Sequence, residues 1–310
     1  MILGRQRLGP KMQLIHIGYP KCASTSLQQF LFDNSAFGFR SPHGAQCTRL
    51  LHDLRVVDTF EFDTQIDSIR KNYAPNDGEL VDVYSHEHLL IDPYGERSQV
   101  REGVRRLSKI FDSPKILLMI REQKSAIVSS YNEHLRRGRT TTFDDFVNTK
   151  ERELGFRPSV CRVYEFKYDR LISYLHETFG TENVLVLPLE MTRSPDFLPR
   201  LYTFLGRPMP EALPETMSET TRTSRKGDLV FLRHFNKLIT PSPPHSGSLL
   251  RRALYGANIL LSAVVPDTLY QAKRRKIMAT YEREIEGLYT DSNLRTSDLI
   301  GIDLAEFGYK

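Results

Sequence analysis

The segment of the chain with the clearest chemical potential is residues 18–27, which read GYPKCASTSL. A short apolar run at 13–17 precedes it and the letters QQFLF follow it, so the pattern predicts a strand, a loop and a helix. The start of a helix presents unpaired backbone N–H groups and the positive end of the helix dipole. Lys21 adds a mobile positive charge, and the hydroxyl groups at 24–26 add hydrogen-bond donors. Together these groups predict a binding site for a phosphate.

The order of residues in this loop differs from the phosphate loop of kinases and ATPases, which reads G-x-x-x-x-G-K-[ST]. Lys21 comes early in the loop, and no glycine stands directly before it. The alternative interpretation is a helix capped by its own hydroxyl residues, with Lys21 in solvent. The spacing P-K-x-x-[ST]-[ST]-[ST]-L favours the phosphate site over this alternative.

A second segment of the same kind begins with the apolar run KILLMI at Lys115–Ile120. A continuous apolar run of this length is typical of a buried parallel strand. Arg121 stands at its carboxyl end, where α/β sheets bind ligands, and Ser129 follows about two turns into the helix predicted at 125–137. An arginine fork and a hydroxyl at this separation suit one phosphate. The alternative is an arginine that pairs with a neighbouring acid such as Glu122.

The first segment resembles the 5′-phosphosulfate loop of the sulfotransferases that use 3′-phosphoadenosine-5′-phosphosulfate (PAPS). That loop commonly reads PK-x-G-[TS]-[TS]-[SL], and this chain has Ala23 where the family often has glycine. The resemblance implies that Lys21 and loop N–H groups hold the 5′-phosphate, and that Lys21 stabilises the bridging oxygen as the S–O bond breaks. The loop residues that it assigns to the donor are Lys21, Cys22, Ala23, Ser24, Thr25 and Ser26.

The second segment resembles the 3′-phosphate motif of the same family, in which a serine follows the arginine by eight residues. Tyr131 stands where the family has Tyr or His. The resemblance implies that Arg121 and Ser129 bind the 3′-phosphate. A looser likeness to the family extends over 179–190, 204–206 and 303–309. Within the family, the sequence most resembles the bacterial carbohydrate sulfotransferases. A weaker likeness to an RKG motif that contacts the same phosphate falls on Arg225, Lys226 and Gly227.

Candidates for the base of such a reaction follow the strand predicted at 79–84, in the run Ser85, His86, Glu87 and His88. Sulfuryl transfer to a hydroxyl needs a base for the proton and cations for the charge on the leaving phosphate. Glu87 resembles the Glu of a Ser-x-Glu pattern in bacterial members, and His86 lies near the histidine position of cytosolic ones. Glu87 is the first candidate and His86 the second, with His88 left open. The alternative is that these side chains cap and solvate the next helix.

Strands and helices alternate through residue 205 and helices dominate afterwards, which predicts a parallel sheet covered on both faces. The predicted fold is α/β, with a P-loop-like central parallel sheet flanked by helices and a mainly helical C-terminal portion. One domain is expected over 1–310, with a tail at 1–12, an α/β core at 13–206 and a helical extension at 207–310. The predicted strands are 13–17, 37–40, 79–84, 115–120 and 183–188.

The composition narrows the classes of partner. A formal net charge of +5 and a pI of about 9.0 suit an anionic ligand. The cysteines Cys22, Cys47 and Cys161 are far apart, which predicts neither a disulfide framework nor a metal site and fits a reducing compartment. No apolar run approaches the ~20 residues of a membrane span, so a bacterial cytoplasmic enzyme is expected. Aromatic residues sit in apolar patterns rather than between basic ones, so no nucleic-acid partner is expected.

The function expected from these observations is transfer of the sulfuryl group of PAPS to a hydroxyl, on a glycan or glycolipid, by in-line displacement and without a metal. The product would be 3′-phosphoadenosine-5′-phosphate (PAP). Two alternatives stay open at this point. One is a P-loop-type small-molecule kinase, which would need Mg²⁺, and the other is a catalytically inactive nucleotide-binding member of the sulfotransferase type. The acceptor and the oligomeric state are also open.

Overall fold

A five-stranded parallel sheet forms the centre of the protein. The computed structural model describes residues 11–19, 21–22, 24–41, 45–76, 78–90, 99–147, 160–211, 213, 226–239 and 249–310. The strands are β1 (Gln13–Gly18), β2 (Phe39–Arg40), β3 (Val81–Ser85), β4 (Lys115–Ile120) and β5 (Val184–Pro188). Helices flank this sheet, and the described residues after β5 are mainly helical. The predicted α/β fold class is therefore confirmed.

The composition of the strands explains why they lie at the centre. All six residues of β1 are buried, as are five of the six residues of β4. A parallel strand that is covered by helices on both faces has no solvent side, so an unbroken apolar run such as KILLMI is stable there. This is why the bounds predicted for β4 agree with those observed.

The strands lie in the order β2-β3-β1-β4-β5. β1 is therefore the middle strand, with β3 on one side and β4 on the other. From β1 the chain goes to one edge at β2, returns through β3 and then crosses to β4 and β5. In sheets of this type the reversal of direction opens a crevice beyond the carboxyl ends of the strands. Here the crevice lies beyond Gly18 of β1 and Ile120 of β4.

One or more helices follow each strand of the sheet, up to α8 after β5. In chain order the α-helices of the described residues are α1 (Ser24–Leu27), α2 (Ala45–Arg55), α3 (Thr59–Lys71), α4 (Val100–Ile110), α5 (Gln123–Arg136), α6 (Phe143–Val147), α7 (Tyr168–Phe179), α8 (Phe197–Phe204), α9 (Lys226–Val230), α10 (Leu232–Ile239), α11 (Leu249–Val264), α12 (Asp267–Glu284) and α13 (Thr290–Ile300). α4 is typical of them, because its inward face carries Val104, Leu107 and Ile110, all buried.

The second strand is shorter than the sequence predicts. The prediction covers 37–40, whereas β2 contains only Phe39–Arg40. Ser35–Phe37 instead forms a 3₁₀ turn, which ends at Gly38 with a φ of +85°. That left-handed φ favours glycine, so the chain turns at this point before it can extend.

The last helix was not predicted from the sequence. α13 turns Ser292, Asn293 and Thr296 toward the protein and leaves Leu294 and Leu299 exposed. Its inward face is held by hydrogen bonds: the hydroxyl of Ser292 donates to Asp169 of α7, and Asn293 bonds to Gln123 of α5. An apolar period of 3.6 residues is absent from such a helix, so the usual signal for a helix is missing.

No helix within the described ranges has the length and apolar character needed to cross a membrane.

Candidate functional site

The loop after β1 is fixed at its first residue. Tyr19 is buried, its N–H donates to the carbonyl of Met119 at 3.3 Å, and its hydroxyl donates to the carbonyl of Glu165 at 2.7 Å. The N–H of Cys22 closes a turn by donating to the carbonyl of Tyr19 at 3.2 Å. This N–H is therefore used inside the loop, although the sequence assigned Cys22 to the donor. Pro20 and Ala23 lie outside the described residues.

Lys21 has an unusual backbone conformation. Its φ is +73°, in the left-handed region that residues with a side chain rarely adopt. Such a conformation costs of order 1–3 kcal/mol and persists where the surrounding contacts require it, which is common in ligand-binding loops. Here it aims the carbonyl and the side chain of Lys21 at two different groups of the neighbouring segment.

The first of these groups is the guanidinium of Arg121. Its Nη1 donates to the backbone oxygen of Lys21 at 3.0 Å. Arg121 lies directly after β4, and its own carbonyl accepts a hydrogen bond of 2.5 Å from the hydroxyl of Tyr168. The acid considered as its partner, Glu122, instead caps α5 by accepting from the N–H groups of Lys124 and Ser125. The structure thus joins the two segments that the sequence singled out.

The second group is the carboxylate of Glu133 on α5. Nζ of Lys21 lies 2.9 Å from Oε2 of Glu133, while Nε of Arg137 lies 3.3 Å from Oε1. Burial alone would raise the pKa of Glu133, but the ammonium of Lys21 and the guanidinium of Arg137 outweigh burial and lower it. The sequence gave no signal for this pairing, because residues 21 and 133 are distant in the chain.

Ser129 lies on the side of α5 that runs alongside the loop after β1. It precedes Glu133 by four residues, so the two side chains share one face of the helix. Arg121, just before α5, and Glu133, in its third turn, both contact Lys21. The face of α5 between them, which carries Ser129, therefore runs beside the loop.

The helix that follows the loop is irregular. It is α-helical only over Ser24–Leu27 and continues as a π-helix over Gln28–Phe32. Nε2 of Gln28 donates to the carbonyl of Ser85 at 2.9 Å and so ties this helix to the end of β3. π-Helical turns are rare and often occur at functional sites. Thr25 is exposed and Ser26 is partly exposed, whereas Ser24 is buried beneath the loop.

Glu87 contacts this helix from the end of β3. The hydroxyl of Ser24 donates to Oε2 of Glu87 at 3.3 Å, and Nε2 of His88 lies 3.5 Å from Oε1. His86 differs, because its Nδ1 accepts from the backbone N–H of His88 at 3.0 Å. Burial, then the neighbouring His88, lowers the pKa of His86. Of the two candidate bases, Glu87 is the one with a described contact to the segment that follows β1.

Two further residues of this region were not among the sequence candidates. Glu190 follows β5, and its Oε2 accepts from the hydroxyl of Tyr309 at 3.1 Å while its Oε1 accepts from the N–H of Glu122 at 3.2 Å. Burial raises the pKa of Glu190, although the charge of Arg121 acts in the opposite direction. A signal existed, since Glu190 and Tyr309 end two of the stretches of looser family likeness.

The thiol of Cys22 lies among these charged groups. Burial raises its pKa far above the usual range, and the charges of Arg121, Glu190 and Glu87 also act on it, the first lowering the pKa and the other two raising it. The thiol is therefore neutral at pH 7 and is not a thiolate nucleophile.

The triplet at 225–227 is described only in part. Arg225 lies outside the described residues, and Lys226 and Gly227 begin α9, which packs against α5. Two residues into α9, Asp228 accepts from Nε of Arg136 at 2.9 Å and from Nδ2 of Asn258 at 2.9 Å. α9 therefore starts beside the last turn of α5. In the described part of the chain, no group of three or more His, Cys, Asp or Glu residues is arranged to hold a metal.

The fold and these contacts define an α/β protein in which Lys21, Arg121 and the acids Glu87, Glu133 and Glu190 lie at the carboxyl edge of the parallel sheet. No family model matches the chain, and no curated protein sequence matches it. Fifteen chains of solved structures match it. One is a sulfotransferase from Alicyclobacillus acidocaldarius, 19% identical, with a TM-score of 0.48 over 71% of this chain and 91% of that one. Another is the sulfotransferase domain from the curacin biosynthetic pathway, 14% identical, with a TM-score of 0.38 over 79% of this chain and 96% of that one. Conclusions about function depend on the residues of this site.

Proposed function

We propose that the protein is a sulfotransferase that moves the sulfuryl group of PAPS to a hydroxyl of a glycan or glycolipid. The observation that carries this proposal is the hydrogen bond of 3.0 Å between Arg121 and the backbone oxygen of Lys21. PAPS carries a phosphosulfate at its 5′ position and a phosphate at its 3′ position. A nucleotide with two anionic groups suits two cationic segments that touch each other.

The residues divide between the two ends of the donor. Lys21, the N–H groups at 24–26 and the hydroxyls of Thr25 and Ser26 are proposed to hold the 5′-phosphosulfate, with Ala23 between them. Cys22 supports the loop from inside, since its N–H is bonded to Tyr19. Arg121 and Ser129 are proposed to hold the 3′-phosphate, and the residues assigned to help them are Arg225, Lys226 and Gly227.

The transfer itself needs a base and a cation. The acceptor oxygen bonds to sulfur, the bond from sulfur to the bridging phosphate oxygen breaks, and PAP leaves. Glu87 takes the acceptor proton, and its contact with Ser24 keeps the carboxylate at the loop that holds the donor. The ammonium of Lys21, held by Glu133 in this structure, offsets the negative charge that grows on the leaving oxygen.

Calorimetric titration with PAP in the absence of metal, compared with ATP plus Mg²⁺, tests the proposal. PAP is expected to bind more tightly than ATP, and Lys21→Gln is expected to weaken that binding. Lys109→Gln is the matched control, because Lys109 is an exposed lysine of α4 that pairs with Asp63 away from the site. Binding of ATP with Mg²⁺ but not of PAP would overturn the proposal and favour a kinase.

A further inference from the structure

A cavity of about 250 Å³ lies beside the phosphate loop. Its described lining residues are Glu133, His134, Arg137, Arg139, Thr141 and Val160. Glu133 belongs both to this lining and to the ion pair with Lys21, whose Nζ is 2.9 Å from Oε2. Only the side chain of Glu133 therefore separates the cavity from Lys21, the lysine that the proposed function places at the sulfuryl group.

Two arginines give the cavity a positive charge that its acid does not cancel. The carboxylate of Glu133 is shared between Lys21 on one oxygen and Arg137 on the other. The guanidinium of Arg139 is exposed, and it has no hydrogen bond or ion pair to a side chain in the part of the chain that the structure describes. Arg139 is therefore available to an anion that enters the cavity.

The remaining wall contributes uncharged polar groups. A ring nitrogen of His134, Nε2, lies 3.1 Å from the hydroxyl of Thr141, and the ring packs against Phe146. Burial, then the charges of Arg139 and Arg137, lowers the pKa of His134 to about 4. The imidazole is therefore neutral at pH 7 and forms hydrogen bonds without changing the charge of the cavity.

We infer that this cavity binds the acceptor through an oxyanion on its sugar, a carboxylate or a sulfate ester, close to the hydroxyl that receives the sulfuryl group. The inference rests on the proposed function, because it takes Lys21 as the point of transfer. Guanidinium groups bind such oxyanions through parallel N–H donors. Pockets for whole drug-sized ligands measure about 300–1,000 Å³, so this smaller cavity suits one charged sugar unit of a longer chain.

Direct binding of three tetrasaccharides of equal length tests this inference. One is neutral, one contains uronic acid, and one is neutral in its backbone but carries sulfate esters. Wild type, Arg139→Gln and Arg274→Gln are compared, the last being an exposed arginine of α12 outside the cavity. Titration with PAP is run on each protein as a separate measurement.

The anionic tetrasaccharides are expected to bind wild type at least tenfold more tightly than the neutral one, and the tighter of the two identifies the oxyanion. Arg139→Gln is expected to remove about tenfold of that affinity, the size of a lost charged hydrogen bond, and to leave PAP binding unchanged. Arg274→Gln is expected to change neither. Equal binding of all three sugars, or an unchanged preference in Arg139→Gln, would overturn the inference. Failure of wild type to bind PAP would instead count against the proposed function.

Discussion

Arg121 offers the sharpest test of the proposal that the two segments bind one nucleotide between them. Arg121→Gln removes two interactions of different kinds. The first is the hydrogen bond of 3.0 Å to the backbone oxygen of Lys21, which shapes the loop whichever ligand is bound. The second is the proposed contact with the 3′-phosphate, which exists only for ligands that carry that phosphate. PAP and adenosine 5′-monophosphate (AMP) differ by this group alone.

The two losses act differently on binding. Both interactions are hydrogen bonds with a charged group, each contributing about 1.5–3 kcal/mol, but only the second is made to the ligand. The bond to the loop affects binding indirectly, so AMP should lose less than about tenfold in affinity. PAP should lose that factor and a further 10- to 150-fold, roughly. Arg121→Lys keeps the positive charge but lacks the paired N–H donors of a guanidinium, so its loss of affinity for PAP should be intermediate.

Calorimetry at constant ionic strength measures both ligands on wild type and on the two variants. Arg70→Gln is the control, since Arg70 is partly exposed and pairs with Asp112 on the surface at 2.6 Å. Equal losses for PAP and AMP would refute the assignment of Arg121 to the 3′-phosphate. In that case the role of Arg121 would be limited to supporting the loop.

Two further predictions concern the acids of the site. Glu87→Gln should lower the turnover of labelled PAPS by about 100-fold or more with little change in PAP binding, as expected for loss of a base. His86→Asn should keep most of the rate, because Nδ1 of His86 already accepts from the backbone; the reverse order would assign the base to His86. The pKa of Glu190 is raised, so the folded protein holds a proton there at pH values where the unfolded chain has lost it. Wild type should therefore lose stability relative to Glu190→Gln as the pH rises from about 4.3 through the raised pKa. Urea unfolding of both proteins across this range measures the difference, and a constant difference would contradict the prediction.

The sheet could be predicted because its strands are buried on both faces. β1 and β4 are mainly apolar, so their runs have one consistent interpretation as buried strands. α13 could not be predicted in the same way, because Ser292 and Asn293 bury polar groups through hydrogen bonds to α7 and α5. Such pairs depend on partners that are far away in the chain and leave no periodic signal.

The site was predictable to the extent that its residues lie in short segments. Lys21 and Arg121 each stand at a strand end within a recognisable spacing, so the sequence brings both forward as candidates, and their roles stay predictions. It did not identify Glu133, which meets Lys21 only because α5 lies along the loop. The sequence ranks Glu87 before His86, and that ranking stays a prediction; the structure adds the contact between Glu87 and Ser24, which the sequence does not show.

The contact between Tyr309 and Glu190 has a consequence for how the protein is made. The two residues are 119 positions apart, so at about 5–20 residues per second the ribosome adds Tyr309 roughly 6 to 24 seconds after Glu190. All five strands and the loop after β1 are synthesised before that time. During this interval the carboxylate of Glu190 lacks its hydroxyl donor. The nascent chain therefore contains Lys21 and Arg121 before Glu190 has its hydroxyl partner.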